Sequence, residues 1–175
     1  MDVFEALRAR HSYRGRYLNA PVPREHLDKI ALAGVQAPSG CNGQTTRFVI
    51  VDDPDMAARV RARIDMDSVN TAPAFIVVVS EKRATYGDTD FEIEDCSAAV
   101  ENMLLAITAL GYASVWLDGV LREDGIGDDI ARAIGMPEGQ NLTPRVLLPI
   151  GVPAEKRSQN SRKPWGERVF YNGMG

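Results

Sequence analysis

The chain has 175 residues, 45% of them hydrophobic and 25% charged, enough for one domain with a real core and too few for two ordinary ones. Its 20 basic and 24 acidic side chains leave a formal net charge of −4, so no excess of cation is available to neutralise a nucleic-acid backbone. No apolar run is long enough to span a bilayer, and Met1-Asp2-Val3-Phe4-Glu5 is charged and helix-like rather than a signal peptide, so a cytoplasmic protein without nucleic-acid or membrane partners is expected.

In chain order, residues 2–9 and 24–36 carry apolar side chains at helical spacing (Val3, Phe4, Leu7; Leu27, Ile30, Ala31, Val35), and both predict amphipathic helices. Gly15 to Pro23 holds turn formers and reads as a connecting loop. Phe48 to Val51, closed by Asp52-Asp53-Pro54, and Ala74 to Val79 predict strands, and their lack of polar alternation implies cover on both faces. Asp90 to Leu110 predicts a long, largely buried helix stopped by Gly111. A strand over Ala113–Leu117, a helix over 125–135 and a last strand over Val146–Ile150 follow. The tail, 154–175, is basic and then aromatic (Trp165, Phe170, Tyr171), which implies docking on something, its own domain included. Strands alternating with helices predict an α+β domain, an α/β sandwich with a mixed central sheet flanked by helices.

Cys41 and Cys96 are far apart and lack companions for a metal set, so both read as free thiols, Cys41 as a small packing residue and Cys96 as core. With only His11 and His26 available as imidazoles, the chemistry is expected to belong to a bound cofactor. The acidic group Asp88, Asp90, Glu92, Glu94 and Asp95 reads as a solvated helix start favoured by the helix dipole.

Two segments carry the functional signal. Arg10-His11-Ser12-Tyr13-Arg14 supplies two guanidinium forks, an imidazole and a hydroxyl, a set that suits a mononucleotide phosphate and is also compatible with a solvated basic turn. Ala37-Pro38-Ser39-Gly40-Cys41-Asn42-Gly43-Gln44 is dense in small residues and amides, as a loop against the edge of a heterocycle would be, or a plain helix-to-strand connection.

Together these segments resemble the FMN-dependent nitroreductase family: Arg10, Ser12 and Arg14 match its Arg-x-Ser-x-Arg/Lys segment, and Ala37, Pro38, Ser39, Asn42 and Gln44 its Ala-Pro-Ser-x-x-Asn-x-Gln loop. Asp95 and Asn102 in the long helix, then Trp116-Leu117-Asp118-Gly119, Leu148-Pro149-Ile150-Gly151, Arg162-Lys163-Pro164 and Tyr171-Asn172 recur in family order. The resemblance implies FMN as cofactor, with NAD(P)H as electron donor and hydride passed by a ping-pong mechanism to a small electron-poor acceptor such as a nitroaromatic, quinone or enone. It assigns Arg10 and Ser12 to the FMN phosphate, with His11 alongside, Arg14 to the pyrimidine edge, the backbone of Trp116, Leu117, Asp118 and Gly119 to the ring, and Arg162 with Lys163 to closing on the phosphate. It further implies an intertwined homodimer in which Pro38, Ser39, Gly40, Asn42 and Gln44 contact FMN held mainly by the other subunit and residues 154–175 pack on the partner.

The chain departs from that pattern in having Thr45-Thr46 where a Pro and an aromatic are usual, and in short 53–72 and 80–90 segments, which imply an open pocket; Asn70 is one further candidate contact. Two other functions stay open, a flavin carrier or sensor without efficient turnover and a hydrolase built on Cys41 and His11.

Overall fold

The computed structural model describes residues 1–174, and Gly175, the last residue of the predicted tail extension, lies outside the described residues. Helix α1 (Val3–Ala9) opens on a reciprocal capping box, in which the Asp2 carboxylate accepts the Glu5 N–H and the Glu5 carboxylate accepts the Asp2 N–H, each at 2.8 Å. Helix α2 (Arg24–Val35) buries Leu27, Ile30 and Gly34. Strand β1 (Thr46–Val51) follows, and Asp53 then caps helix α3 (Pro54–Arg61) by accepting the Met56 N–H at 2.9 Å, with Pro54 in the first turn where a missing N–H costs nothing. The Asp-Asp-Pro stop of the strand is thus also the start of a helix, and helix α4 (Asp67–Asn70) comes soon after.

Strand β2 (Ala74–Glu81) lies at the centre of a three-stranded sheet of order β1-β2-β5, where β5 is Leu142–Ile150, and both pairings are antiparallel. Seven of its eight residues are buried, because each face of the strand meets a different core. Phe75, Val77 and Val79 point into one core with Val51, Val60, Leu147 and Ile130, on the side of α3 and of helix α6 (Ile126–Ala133). Ala74, Ile76 and Val78 point into the other with Leu27, Ile30, Val100, Met103 and Leu148, on the side of α2 and of helix α5 (Glu92–Ala109). The period-two alternation of a pleated strand therefore divides one apolar run between two layers of helices, and the fold is an α+β sandwich. A short hairpin, β3 (Ala84–Tyr86) with β4 (Thr89–Asp90), leads into α5, which ends before Gly111 in the left-handed conformation, φ +85°.

Two expectations change. The segment 113–117 is not a regular strand: it touches β5 and its end at single bridges, Ala113 with Gly151 and Leu117 with Leu147, because between them its hydrogen bonds turn to the N-terminal segment, where Tyr13 N–H donates to Ser114 O at 2.8 Å. The Ser12–Ser114 bridge is parallel and stands apart from the three-stranded sheet, whose pairings are antiparallel. The predicted apolar face of α1 is also not inward, since Ala6 is its buried residue while Val3, Phe4 and Leu7 are 57%, 66% and 44% exposed. No helix among the described residues is long and apolar enough to cross a membrane.

Candidate functional site

Arg10 sits at the C-terminal end of α1, its N–H bonded to Ala6 O, so the end of the helix delivers the following three residues to the surface. The Arg10 guanidinium lies 3.4 Å from Glu101 of α5 and is mostly covered, which restrains it. Next to it, the His11 ring places Nδ1 3.0 Å from Ala9 O, and Nε2 is buried with no partner among the described residues. Ser12 is exposed, and Tyr13 is fully buried, its hydroxyl accepting the Ala154 N–H at 3.1 Å. That last bond ties the start of the C-terminal tail to the N-terminal segment, and the Arg157 guanidinium adds a contact 5.8 Å above the Tyr13 ring.

The tail then runs on beside the segment. Gln159 Nε2 donates to Arg10 O at 2.7 Å, and Arg10, His11, Ser12, Ser158, Gln159, Asn160 and Arg162 line one polar concavity. Arg162 is thereby brought to the residues with which it was paired in the sequence reading, whereas Lys163 is exposed outside the concavity. Ser158, Gln159 and Asn160 were missed; their only sequence signal was a run of hydroxyl and amide side chains inside a basic tail. Arg14 is exposed two residues beyond Ser12.

The Ser12–Ser114 bridge sets the 113–119 segment next to this concavity. Trp116 is half-buried and packs on the α2–α5 core, Leu117 is buried, and Asp118 is held in a two-pronged pair with Arg122, both distances 2.8 Å. Gly119 is exposed, and a Cβ there would meet nothing within 4 Å. With the Asp118 carboxylate engaged by Arg122, this stretch offers backbone rather than side chains. Asn70 bonds Asp65 at 2.9 Å and lines neither of the concavities described here.

The 37–44 loop is a compact turn containing the short helical turn Gly40–Asn42, and three of its non-glycine residues are left-handed: Cys41 (φ +49°), Asn42 (φ +56°) and Gln44 (φ +50°). Such backbone costs about 1–2 kcal/mol per residue and persists only where surroundings impose it. Here they do. Gln44 N–H donates to Ser39 Oγ at 3.0 Å, and Arg83 donates to Gly43 O at 2.6 Å. Gly40 lies flat on the Phe91 ring, where a Cβ would come within 2.3 Å of it. Asp95 reaches in from α5 to accept the Gly40 N–H and the Thr45 hydroxyl, both at 2.7 Å.

Asp95 is accordingly no solvated carboxylate: it is 5% exposed, and Glu92 is 6% exposed, accepting from Ser80 at 2.6 Å and pairing with Arg145 at 2.9 Å. The acidic helix start is structural at two of its five members, because sequence proximity could not show that Glu92 and Asp95 face inward. Cys41 corrects the other way, being exposed rather than packed, while Cys96 is core; both are free thiols. Asn42 and Gln44 are exposed, and the Gln44 amide donates to Asn42 O at 3.4 Å.

One chain does not close these pieces around a single cavity. Pro38, Ser39, Gln44, Thr46, Phe48 and Asp95 belong to a second concavity that shares no residue with the first. Asp95 and Glu101, which anchor the two, are separated on α5 by roughly 9 Å of rise and about 120° of rotation. Large apolar side chains stay exposed on α1, on α2 (Leu32, Val35) and along the tail, where Trp165 is 69% and Tyr171 80% exposed.

The nitroreductase family model matches residues 7–65 and 53–152, and the chain belongs to that family of oxidoreductases. It is 33% identical over 156 residues, 89% of this chain and 79% of the other, to a protein of Methanothermobacter thermautotrophicus provisionally named NADH dehydrogenase/NAD(P)H nitroreductase. It is 27% identical over 180 residues to an NADPH-dependent oxidoreductase of Staphylococcus epidermidis, covering 93% of this chain and 68% of that one. A provisionally named nitroreductase from Desulfovibrio desulfuricans, solved in complex with FMN, superposes with a TM-score of 0.81 at 30% identity and covers 100% of this chain and 99% of its own.

Proposed function

We propose that this chain is an FMN-dependent oxidoreductase that passes hydride from NAD(P)H to a small electron-poor acceptor such as a nitroaromatic, a quinone or an enone. The observation that carries the reading is the polar concavity in which Arg10, His11 and Ser12 meet Arg162 of the tail. Its donor set fits a phosphate monoester: two guanidinium groups, a hydroxyl, and a buried imidazole nitrogen that has no partner among the described residues.

In this reading Arg10, His11, Ser12 and Arg162 hold the phosphate. Arg10 is already restrained by Glu101, so less side-chain freedom is lost on binding. The exposed Arg14 supplies positive charge for the pyrimidine edge of the ring. The backbone of Trp116 to Gly119 lies against the ring, and the Asp118–Arg122 pair keeps the carboxylate occupied away from it. FMN bound there would supply N5 as the atom that accepts and then gives up hydride, with donor and acceptor used in succession, as in a ping-pong mechanism.

The separation of the two concavities and the exposed apolar faces of α1, α2 and the tail support a homodimer in which each chain's Pro38 to Gln44 loop completes the site of the other. We take residues 1–175 as one domain whose 154–175 segment, after the contacts of Ala154, Arg157 and Gln159 with the N-terminal segment, carries its exposed aromatics onto the partner.

Purified protein is expected to be yellow, with flavin absorbance approaching one FMN per chain, and anaerobic mixing with NADH and NADPH to bleach it rapidly. Colourless protein that takes up no FMN would refute the reading. Bound flavin that stays oxidised would favour a carrier or sensor. A hydrolase built on Cys41 and His11 has no geometric support, because Cys41 is on the exposed loop and His11 lines the other concavity.

A further inference from the structure

Both ends of the loop between Gly40 and Thr45 close on one carboxylate. Asp95 Oδ1 accepts the Gly40 N–H and Oδ2 the Thr45 hydroxyl, each at 2.7 Å, across 55 and 50 residues of chain. Asp95 is 5% and Thr45 0% exposed, and both carboxylate oxygens are engaged by the loop itself. Between the two bonds lie the three left-handed residues Cys41, Asn42 and Gln44, a backbone that an unclasped loop would abandon.

The geometry points to Asp95 and Thr45 as positioning residues, which hold the loop in the conformation that presents the exposed Asn42 and Gln44 to the flavin ring; this rests on the flavin reading above. The carboxylate works as a clasp. A bond to a buried charged acceptor is stronger than one between neutral groups, and its loss leaves the acceptor unsatisfied. Thr45 also stays tied to β2 through its carbonyl, which accepts the Glu81 N–H at 2.8 Å, so removing the hydroxyl loosens the loop on its Asp95 side and leaves the sheet pairing intact. The support on the far side, Arg83 on Gly43 O, comes from an exposed side chain just before the β3–β4 hairpin, and it restrains the middle of the loop rather than its ends.

Thr45→Val keeps the shape and removes the hydroxyl, Thr45→Ser restores it, and Asp95→Ala removes both bonds. Each folded variant is compared by amide hydrogen exchange without cofactor and by titration with FMN followed through flavin fluorescence. Thr45→Val is expected to exchange the Asn42, Gly43 and Gln44 amides about tenfold or more faster, and to weaken FMN binding by a similar factor. Thr45→Ser should stay near wild type, and β2 should exchange as before. Unchanged exchange in Thr45→Val overturns the clasp, and faster exchange with unchanged FMN affinity overturns its positioning role. Wild-type protein that binds no FMN sinks the flavin reading instead, while faster exchange in Thr45→Val than in that wild type still establishes the clasp. If Asp95→Ala does not fold, Thr45→Val and Thr45→Ser decide the matter.

Discussion

Arg10 and Arg162 lie 152 positions apart in the chain, yet they line the same concavity, and each is expected to contribute a charge-assisted bond to a bound phosphate. Replacing either by Ala should weaken FMN binding by roughly 1.5–3 kcal/mol, a tenfold to hundredfold rise in dissociation constant. Lys163→Ala should move it far less, because Lys163 lies outside the concavity. Equal effects at Arg162 and Lys163 in a fluorescence titration would contradict that assignment.

The two thiols also separate at this scale. Burial pushes the Cys96 thiol up to about 12 from its ordinary 9.0, with Arg145 opposing and Asp118, Glu92 and Asp95 adding to the rise. Below pH 9 both folded and unfolded chains keep the proton; between pH 9 and 12 the unfolded thiol ionises and the folded one resists, so stability falls as pH rises through that window. The slope is at most about 1.4 kcal/mol per pH unit. Denaturant unfolding at pH 8 and in this alkaline range should show wild type losing more than Cys96→Ala, and parallel losses would remove Cys96 as the cause. In the native protein near pH 8 a thiol reagent should label Cys41 and spare Cys96.

Among the elements, Gly34 of α2 lies tight against α5 and β1. A Cβ there would come within 2.8 Å of Met103 Sδ and 2.9 Å of the Phe48 ring, which ties the two helices and β1 together. Gly34→Ala should destabilise by about 1–3 kcal/mol through overpacking, lowering the melting temperature by several degrees despite the better helix propensity of Ala. A melting temperature equal to or above wild type would show that Met103 and Phe48 yield at little cost. Helices α2 and α5 were readable from their apolar spacing because they pack on the sheet along one face, whereas the short α3 and α4 went unread. The 113–117 segment was misread as a strand because β propensity reports extended backbone, and only its neighbours decide whether that backbone pairs along its length or at points.

For the whole molecule, the exposed tail is the sensitive feature. Ending the chain after Lys163 removes Trp165, Phe170, Tyr171 and Met174, all at least 43% exposed, so the domain's own cores lose nothing. The truncated protein should fold, yet sediment as a monomer and hold little FMN; a truncated dimer with full flavin content would show that the tail does not carry the interface.

The sequence by itself determined the alternation of elements, the buried central strand, and which residue types could grip a phosphate, because hydrophobic period and donor chemistry are local properties of the chain. It also supplied Arg10, Ser12 and Arg162 as candidates. Only the tertiary structure decided that Gln159 and Asn160 join them, that the apolar face of α1 points outward, and that Asp95 is a buried clasp rather than a solvated charge. The physical reason is the same each time: contact and burial depend on what another part of the chain brings to a residue, and hydrogen bonds spanning 50, 55 and 149 positions have no signature in local pattern.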